Sequence, residues 1–354
     1  MRLRKSQIAK RRVMVWYLLG FVAVQVGLAV AAEVRYAIRD PEFDEMRQIV
    51  EQRRAEAPGR PLVLLIGSSR TKADLNAELL NHPEDPGAPV VVNASAAGAG
   101  PMLHEISLRR WLRAGIHPDL IFLEVMPMIL SAREGAPVEE NKNSERYCAA
   151  EIAHVLRYCA EPHRLCWRWA RARGMPCNEH RVELREALHI DVRADGKIVR
   201  PSGRDDFGWA AGPGSIAPDE MQRRIQNDLE YYQSALTQPA VAPGALRALR
   251  AFIHLCRKEH IAVVLVAPPE SSVFRSYCPA AAASQMRAVH ALADELGVKL
   301  LDHRDWIDDA GFWDGHHATR QGADQYTQRF AREVFEPLAA RIRYPAGTLA
   351  SGGR

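Results

Sequence analysis

The sequence predicts an α/β domain: a three-layer sandwich of about five parallel strands with helices on both faces. Two observations carry this. Five short, continuous apolar runs are spread along the chain: "PLVLLIG" (61–67), "PVVVNAS" (89–95), "LIFLEV" (120–125), "IAVVLVAP" (261–268) and "VKLLDH" (298–303). Between or after them lie "MLHEISLRRWLRAG", "ALRALRAFIHLCRKEH" and "AASQMRAVHALADELG", each with apolar residues at helical spacing. Runs that do not alternate with polar residues fit strands buried on both sides, the signature of a parallel sheet covered by helices. One interval, 130–243, breaks the rhythm with an Arg-, Pro-, Gly- and Trp-rich composition and no clear strand series, and reads as a helical cap inserted after the third strand over one end of the sheet.

Taken in order, the chain starts with a basic segment, residues 1–12. It contributes six cations, Arg2, Arg4, Lys5, Lys10, Arg11 and Arg12; setting these aside from the net charge of +4 leaves −2 on the remainder. A body of that charge has no bulk attraction for phosphate, which argues against a nucleic-acid partner. Next comes "VMVWYLLGFVAVQVGLAVAA", Val13 to Ala32, with Gln25 as its one strongly polar side chain. About 20 apolar residues match the hydrocarbon thickness of a bilayer, and the flanking cations predict a cytoplasmic N-terminus with the main domain periplasmic or extracellular. The bilayer is thus an expected partner, through Val13 to Ala32. The alternative is a signal peptide cleaved near the small residues of "AVAAE", giving a secreted protein. Residues 33–60 are polar and helix-prone and read as a stalk. The α/β domain is expected over 61–129 and 244–342, with a flexible tail at 343–354.

Export makes disulfides permissible for the six cysteines, four of them crowded at Cys148, Cys159, Cys166 and Cys177. Spacing does not fix a pairing, and Cys256, on the apolar face of its helix, reads equally as a core thiol. No Cys-x-x-Cys pair is present to suggest zinc.

Functional groups of an open parallel sheet collect beyond the carboxyl ends of its strands. Here the first strand ends in "GSSR" (67–70), the second in "NASAAGAG" (93–100), and the last leads to "FWDGHHATRQG" (312–322). They offer a hydroxyl, glycines that allow close backbone approach, and an acid three residues before a histidine. The Asp314 to His317 spacing lets a carboxylate orient an imidazole, which in turn activates a serine hydroxyl.

With these blocks the chain resembles the SGNH, or GDSL-type, hydrolase superfamily, over roughly 60–128 and 244–340. "GSS" matches the Gly-Asp-Ser block, with Ser68 where the family has Asp; "NASAAG" matches the block with Asn93 and an oxyanion Gly98; "DGHH" matches Asp-x-x-His. The resemblance implies a flavodoxin-like sheet, Ser69 as nucleophile, His317 as base and then acid, Asp314 as its orienting partner, and an oxyanion held by the Ser69 backbone amide and Gly98. It implies no metal or nucleotide cofactor. The third block, Gly-x-Asn-Asp, is absent: "FLEVMPMIL" puts Pro127 and Met128 where an Asn donor belongs. The departure, together with the N-terminal anchor, is similar to membrane-anchored members that assist O-acetylation of alginate or D-alanylation of teichoic acid. The implied activity is hydrolysis or transfer of an acyl ester, with an acylated cell-envelope glycan as substrate class and a membrane acyltransferase as a candidate partner.

Competing readings were weighed at each position. Ser68 is the second candidate nucleophile. His316, His317 and the aspartates around them offer metal-ligand chemistry, but adjacent histidines in a loop point apart. Arg70, Asn93 and Glu270 are candidate substrate contacts; a structural ion pair for Arg70 and a Pro-rich turn at Glu270 are the alternatives. The aromatic residues of the insert suit a sugar platform or, more commonly, core. For the whole protein, a non-catalytic envelope assembly factor that binds glycan or an acyltransferase is the alternative to an enzyme. A transmembrane scaffold has little support from a cytoplasmic end of about a dozen residues.

Overall fold

A computed structural model of the protein describes residues 2–133, 136–137, 139, 144–181 and 203–343. Most of the expected tail, 344–354, and part of the insert, 182–202, lie outside the described residues. All five expected strands are present: β1 (Leu62–Ile66), β2 (Val90–Asn93), β3 (Leu120–Glu124), β4 (Ala262–Ala267) and β5 (Lys299–Asp302). They form one parallel sheet in the order β2-β1-β3-β4-β5. This is the flavodoxin-like order, in which the crevice opens where connections leave β1 and β3 in opposite directions.

Alternate side chains of each strand enter different cores, so the continuous apolar runs are explained by burial on two faces. Leu62, Leu64, Val92, Ile121 and Leu265 face one layer, formed by α2 (Pro41–Glu56), α4 (Pro101–Arg113), α7 (Pro243–Lys258) and α8 (Pro279–Leu296). Val63, Leu65, Val91, Phe122 and Val264 face the other, closed by α9 (Arg320–Phe330) through Tyr326 and Phe330.

The N-terminal helix α1 (Arg2–Val34) contains a stretch, Lys10–Val34, with a mean hydropathy of 2.1 over its most apolar window, long and apolar enough to cross a membrane. The segment after it departs from the expected stalk. Helix α2 buries Phe43, Met46, Ile49 and Val50 in the main core, and Asp40 caps it by accepting from the Phe43 N–H. The sequence disguised this because only one narrow side of α2 is apolar and its remaining residues are charged.

The insert also divides its work. Among its described residues, α6 (Pro218–Thr237) covers the end of the sheet, with Leu229 and Ala235 against Met126, Met128 and Phe274. Residues 144–165 instead join the core beside α4, through Tyr147, Ile152, Val155 and Leu165. Residues 203–213 run along the β2 edge, where the Asn93 N–H donates to the Phe207 carbonyl at 2.8 Å, so an otherwise open strand edge is paired. None of the six cysteines is in a disulfide. Cys256 is a buried core thiol whose pKa burial pushes up to about 12.

Asp40 binds the first part of the chain to the domain. Its carboxylate accepts from Arg110 at 2.5 Å and Arg146 at 2.7 Å, while Arg110 also donates to Glu151 at 2.9 Å and 2.8 Å. Asp40 and Arg110 are almost fully buried. Removing one member of such a set leaves uncompensated buried charge. Asp40→Ala is therefore expected to destabilise the full chain by about 3–5 kcal/mol in denaturant unfolding; an effect near zero would restore the stalk reading.

Candidate active site

The site begins with a turn. β1 ends at Ile66, and Gly67 and Ser68 carry the chain directly into the short helix α3 (Ser69–Asp74) at the carboxyl edge of the sheet. Gly67 is required there: a Cβ would lie 2.3 Å from Thr71 Oγ1 and 2.4 Å from Glu124 Oε2. Glu124, the last residue of β3, holds the turn. Its carboxylate accepts from the Ser68 N–H (2.9 Å), Ser68 Oγ (2.7 Å), the Thr71 N–H (3.2 Å) and Thr71 Oγ1 (2.5 Å). Burial would raise the pKa of Glu124, but the charge of Arg70 and these hydrogen bonds bring it below the ordinary value.

Within this frame Ser68 is buried, N-caps α3 and gives its hydroxyl proton to Glu124. It is therefore not placed as a nucleophile. Ser69 is the first residue of α3, so its own N–H has no acceptor within the helix. Its Oγ lies 2.9 Å from His317 Nε2, and His317 Nδ1 lies 2.8 Å from Asp314 Oδ2. Because a carboxylate only accepts, Nδ1 carries the proton and Nε2 is left to accept from the serine hydroxyl.

Three further contacts hold the histidine loop. Asp314 Oδ1 accepts the backbone N–H groups of His316 (2.8 Å) and His317 (2.7 Å). Asp74, at the end of α3, accepts the Ala318 N–H at 2.8 Å. Trp313 stacks on the His317 ring at 5.4 Å and 23°. Burial would lower the pKa of His317, yet the hydrogen bond and charge of Asp314, with the charge of Asp74, raise it above the usual 6.5. Burial would raise the pKa of Asp314, but the hydrogen bond from His317 and the charges of His317 and His316 hold it far below the carboxylate range. Asp74 itself is raised to about 7 by burial.

Several expected roles are corrected. Arg70 is fully enclosed, pairing with Glu270 at 3.0 Å and donating to the carbonyls of Pro268 (3.0 Å) and Pro269. Arg70 is thus committed to holding the loop after β4 to α3, whereas its partner Glu270 also lines a small cavity with Met128, Phe274 and Arg304. Asn93 is also fully buried; its amide donates to Thr71 O (2.7 Å) and Leu75 O (2.9 Å), and its oxygen accepts from the Ser95 N–H at 3.2 Å. It fastens β2 to α3. Gly98 adopts φ +67°, the left-handed conformation that favours glycine, in a turn tied to the site by the Ala96 N–H to Gly67 O bond of 3.0 Å. The neighbouring Gly100 N–H donates to Glu139 at 3.1 Å and is not available to an oxyanion. Where the third block would supply an Asn, Pro127 and Met128 are buried, with Met128 under α6.

Asp314, His316 and His317 bring one ligand atom each within 4.8 Å of one another. The Asp314 carboxylate and both His317 nitrogens are already engaged in the hydrogen bonds above, so a cation at this place would replace the serine–histidine–aspartate chain rather than add to it. His316 is buried between Phe274 and Tyr232 with Nδ1 3.3 Å from Asp228 of α6, and burial and the charge of His317 lower its pKa. Sequence reasoning missed Glu124 and Asp74. The signal for Glu124 was present, since it is the only charge in "LIFLEV"; Asp74 looked like any polar residue of a short helix.

A family model matches residues 239–339, which run from the start of α7 through α9 and so include Asp314 and His317. No curated protein matches the chain. Similar solved structures include a protein designated an acylhydrolase from Bacteroides fragilis, at 12% identity and a TM-score of 0.38, covering 84% of this chain and 97% of that one. Two others are a G-D-S-L family lipolytic protein from Desulfitobacterium hafniense (10%, TM-score 0.32, 77% and 98%) and the lipase/acylhydrolase of Enterococcus faecalis (12%, TM-score 0.35, 78% and 96%). The fold assignment here rests on the strand order and registers.

Glu124→Gln would place an amide N–H₂ against groups that need an acceptor. It is expected to lower stability at neutral pH by about 1–3 kcal/mol. Since the folded pKa of Glu124 lies below its ordinary 4.5, the carboxylate stabilises the fold above that value and its contribution is lost as pH falls through the folded pKa. The wild-type advantage over Glu124→Gln should therefore shrink in acid, as read by unfolding across pH; an advantage independent of pH would remove the carboxylate from this role.

Proposed function

We propose that the protein is a membrane-anchored, exoplasmic serine esterase or O-acyltransferase of the SGNH type, acting on acyl esters of cell-envelope glycan. The observation that carries the reading is the continuous chain Ser69 Oγ to His317 Nε2 (2.9 Å) and His317 Nδ1 to Asp314 (2.8 Å). In the first step His317 Nε2 takes the Ser69 proton as Oγ bonds to the acyl carbonyl carbon. The tetrahedral oxyanion is held by the Ser69 N–H and the backbone at Gly98. Collapse breaks the ester C–O bond, and His317 returns its proton to the leaving alcohol. Water or a sugar hydroxyl then enters by the same steps in reverse, giving hydrolysis or transfer. The anchor supports a substrate made at the membrane surface. The apolar replacement at Pro127 and Met128 favours a second reading, in which the fold is kept as a non-catalytic partner of a membrane acyltransferase: loss of one oxyanion donor costs about 10²–10³ in rate.

A serine-directed fluorophosphonate separates the two. The full chain in detergent is expected to be labelled on Ser69, located by mass spectrometry, and labelling should vanish in Ser69→Ala and His317→Ala but persist in Ser68→Ala. A folded wild-type chain that takes no label would sink the enzymatic reading.

The pH dependence follows from the same geometry. His317 serves as base only when neutral, and its pKa is raised above 6.5, so labelling should rise with pH through a midpoint above 6.5. Asp314→Asn should move that midpoint down and slow labelling by up to roughly 10⁴-fold. An unmoved midpoint would mean that another group limits the rate.

A further inference from the structure

The insert helix α5 (Pro162–Gly174) and the turn after it pack beside α1. Gln25, the polar residue inside the apolar span, donates to Cys177 Sγ at 2.7 Å and accepts from the Cys177 N–H at 3.3 Å. This explains how a lone polar side chain is tolerated there, since such groups need a partner within the membrane. It also fixes a level. Gln25 precedes Ala32, the end of the apolar run, by seven residues, or about 10 Å of helix. A chain segment bonded at that level lies where interfacial helices insert, about 5–10 Å into the boundary of headgroups and acyl chains.

The exposed side of α5 has the chemistry of that boundary. Trp167 and Met175 are 71% and 44% exposed, an unusual state for large apolar residues in a folded domain, and Arg164 and Arg171 are exposed on the same side. Between residues 161 and 181 there are five arginines and two glutamates. Tryptophan and arginine are the residues that settle at membrane interfaces, one with an amphipathic ring, the other with a long stem that returns its charge to the headgroups. On the side of α5 turned to α1, an apolar groove of about 480 Å³ is lined by Phe21, Val22, Val26 and Val30 of α1 and by Trp169, together with the ion pair of Arg173 and Glu33 at 3.1 Å.

Resting on the anchor reading above, we propose that α5 is an interfacial helix, lying in the leaflet that receives the C-terminal half of α1 and binding anionic phospholipid, with acyl chain in the groove and phosphate at the arginines. The domain then has two fixed points on the membrane, so the Ser69 site is held at a set height and orientation over the surface. A single transmembrane helix would leave it free to swivel.

The test uses the full chain reconstituted into phosphatidylcholine vesicles with and without phosphatidylglycerol, with bromine-labelled lipid acyl chains as fluorescence quenchers. Trp167→Phe should remove emission that shallow bromolipid quenches and aqueous iodide does not. Arg164→Glu combined with Arg171→Glu should reduce that quenching in vesicles containing phosphatidylglycerol. Trp16→Phe reads the anchor separately, because Trp16 lies three residues inside the start of the apolar span and its emission should be quenched by bromine near the headgroup end of the acyl chains and not by aqueous iodide. If Trp16 is quenched by bromolipid but the Trp167 emission responds only to iodide, α5 lies in water and this proposal fails while the anchor stands. If Trp16 also responds only to iodide, the anchor and the interfacial helix fall together.

Discussion

The buried carboxylate of Glu124 is the interaction on which the rest of the site depends. Burying a charge requires partners, and Glu124 finds them in the donors of the turn that presents Ser69: the N–H and hydroxyl of both Ser68 and Thr71. β3 therefore sets the position of a turn that belongs to β1. The demand for Gly67 follows, because any side chain there would occupy the space that Glu124 and Thr71 fill. From α3 the constraint spreads outward. Asn93 ties its carbonyls to β2, Arg70 ties it to the loop after β4, and Asp74 ties it to the backbone beside His317. Four strand ends thus meet on one short helix, and the geometry of the serine and histidine is set by groups that never touch a substrate.

A second layer of charge links this centre to the chain that follows α1. Glu42, on α2, accepts from Lys72 of α3 at 2.8 Å, from the Ala97 N–H beside Gly98 at 3.1 Å, and from Arg204 of the insert at 3.2 Å. Two residues earlier, Asp40 holds Arg110 and Arg146, and Arg39 donates to the carbonyl of Ala32 at 2.9 Å at the end of the apolar helix. Ion pairs and backbone bonds therefore connect the chain after α1 with the turn carrying Gly98. A chain begun after Glu42 would lack these contacts, so the domain is best regarded as beginning inside what the sequence presents as a stalk.

Much of the fold was legible because parallel strands buried on both faces leave continuous apolar runs, and all five runs are strands. Ser69, Asp314 and His317 were legible for a different reason: topology brings strand ends together, so residues 248 positions apart could be paired by chain order alone. What failed were inferences from residue type. Arg70, Asn93 and Glu270 have side chains that suit a substrate, and the sequence does not say that each is needed to satisfy a buried partner. The stalk reading of 33–60 failed likewise, since a helix needs only four apolar residues on one side to join a core, and in α2 these are set among charges. Glu124 shows the reverse case, a charge that looked out of place in an apolar run and proved to be the organiser.

The missing Asn sharpens what the remaining groups must do. At Pro127 and Met128 the chain after the third strand is apolar and buried, with Met128 packed beneath α6, so in the proposed reaction a developing oxyanion would be met by backbone N–H groups at the start of α3. A helix start suits this task, because its first N–H groups lack intrahelical acceptors and point toward negative charge. Against a purely structural role stands the electrostatic arrangement of the histidine. A half-buried imidazole, aligned on a serine hydroxyl and backed by a carboxylate held strongly ionised, is a demanding assembly, since burial opposes the charged form of both partners. A binding surface gains nothing from such an assembly that a neutral polar pair would not supply. Proton transfer from Ser69 gains a base whose cation is stabilised before the reaction starts, which is the property that acyl transfer needs.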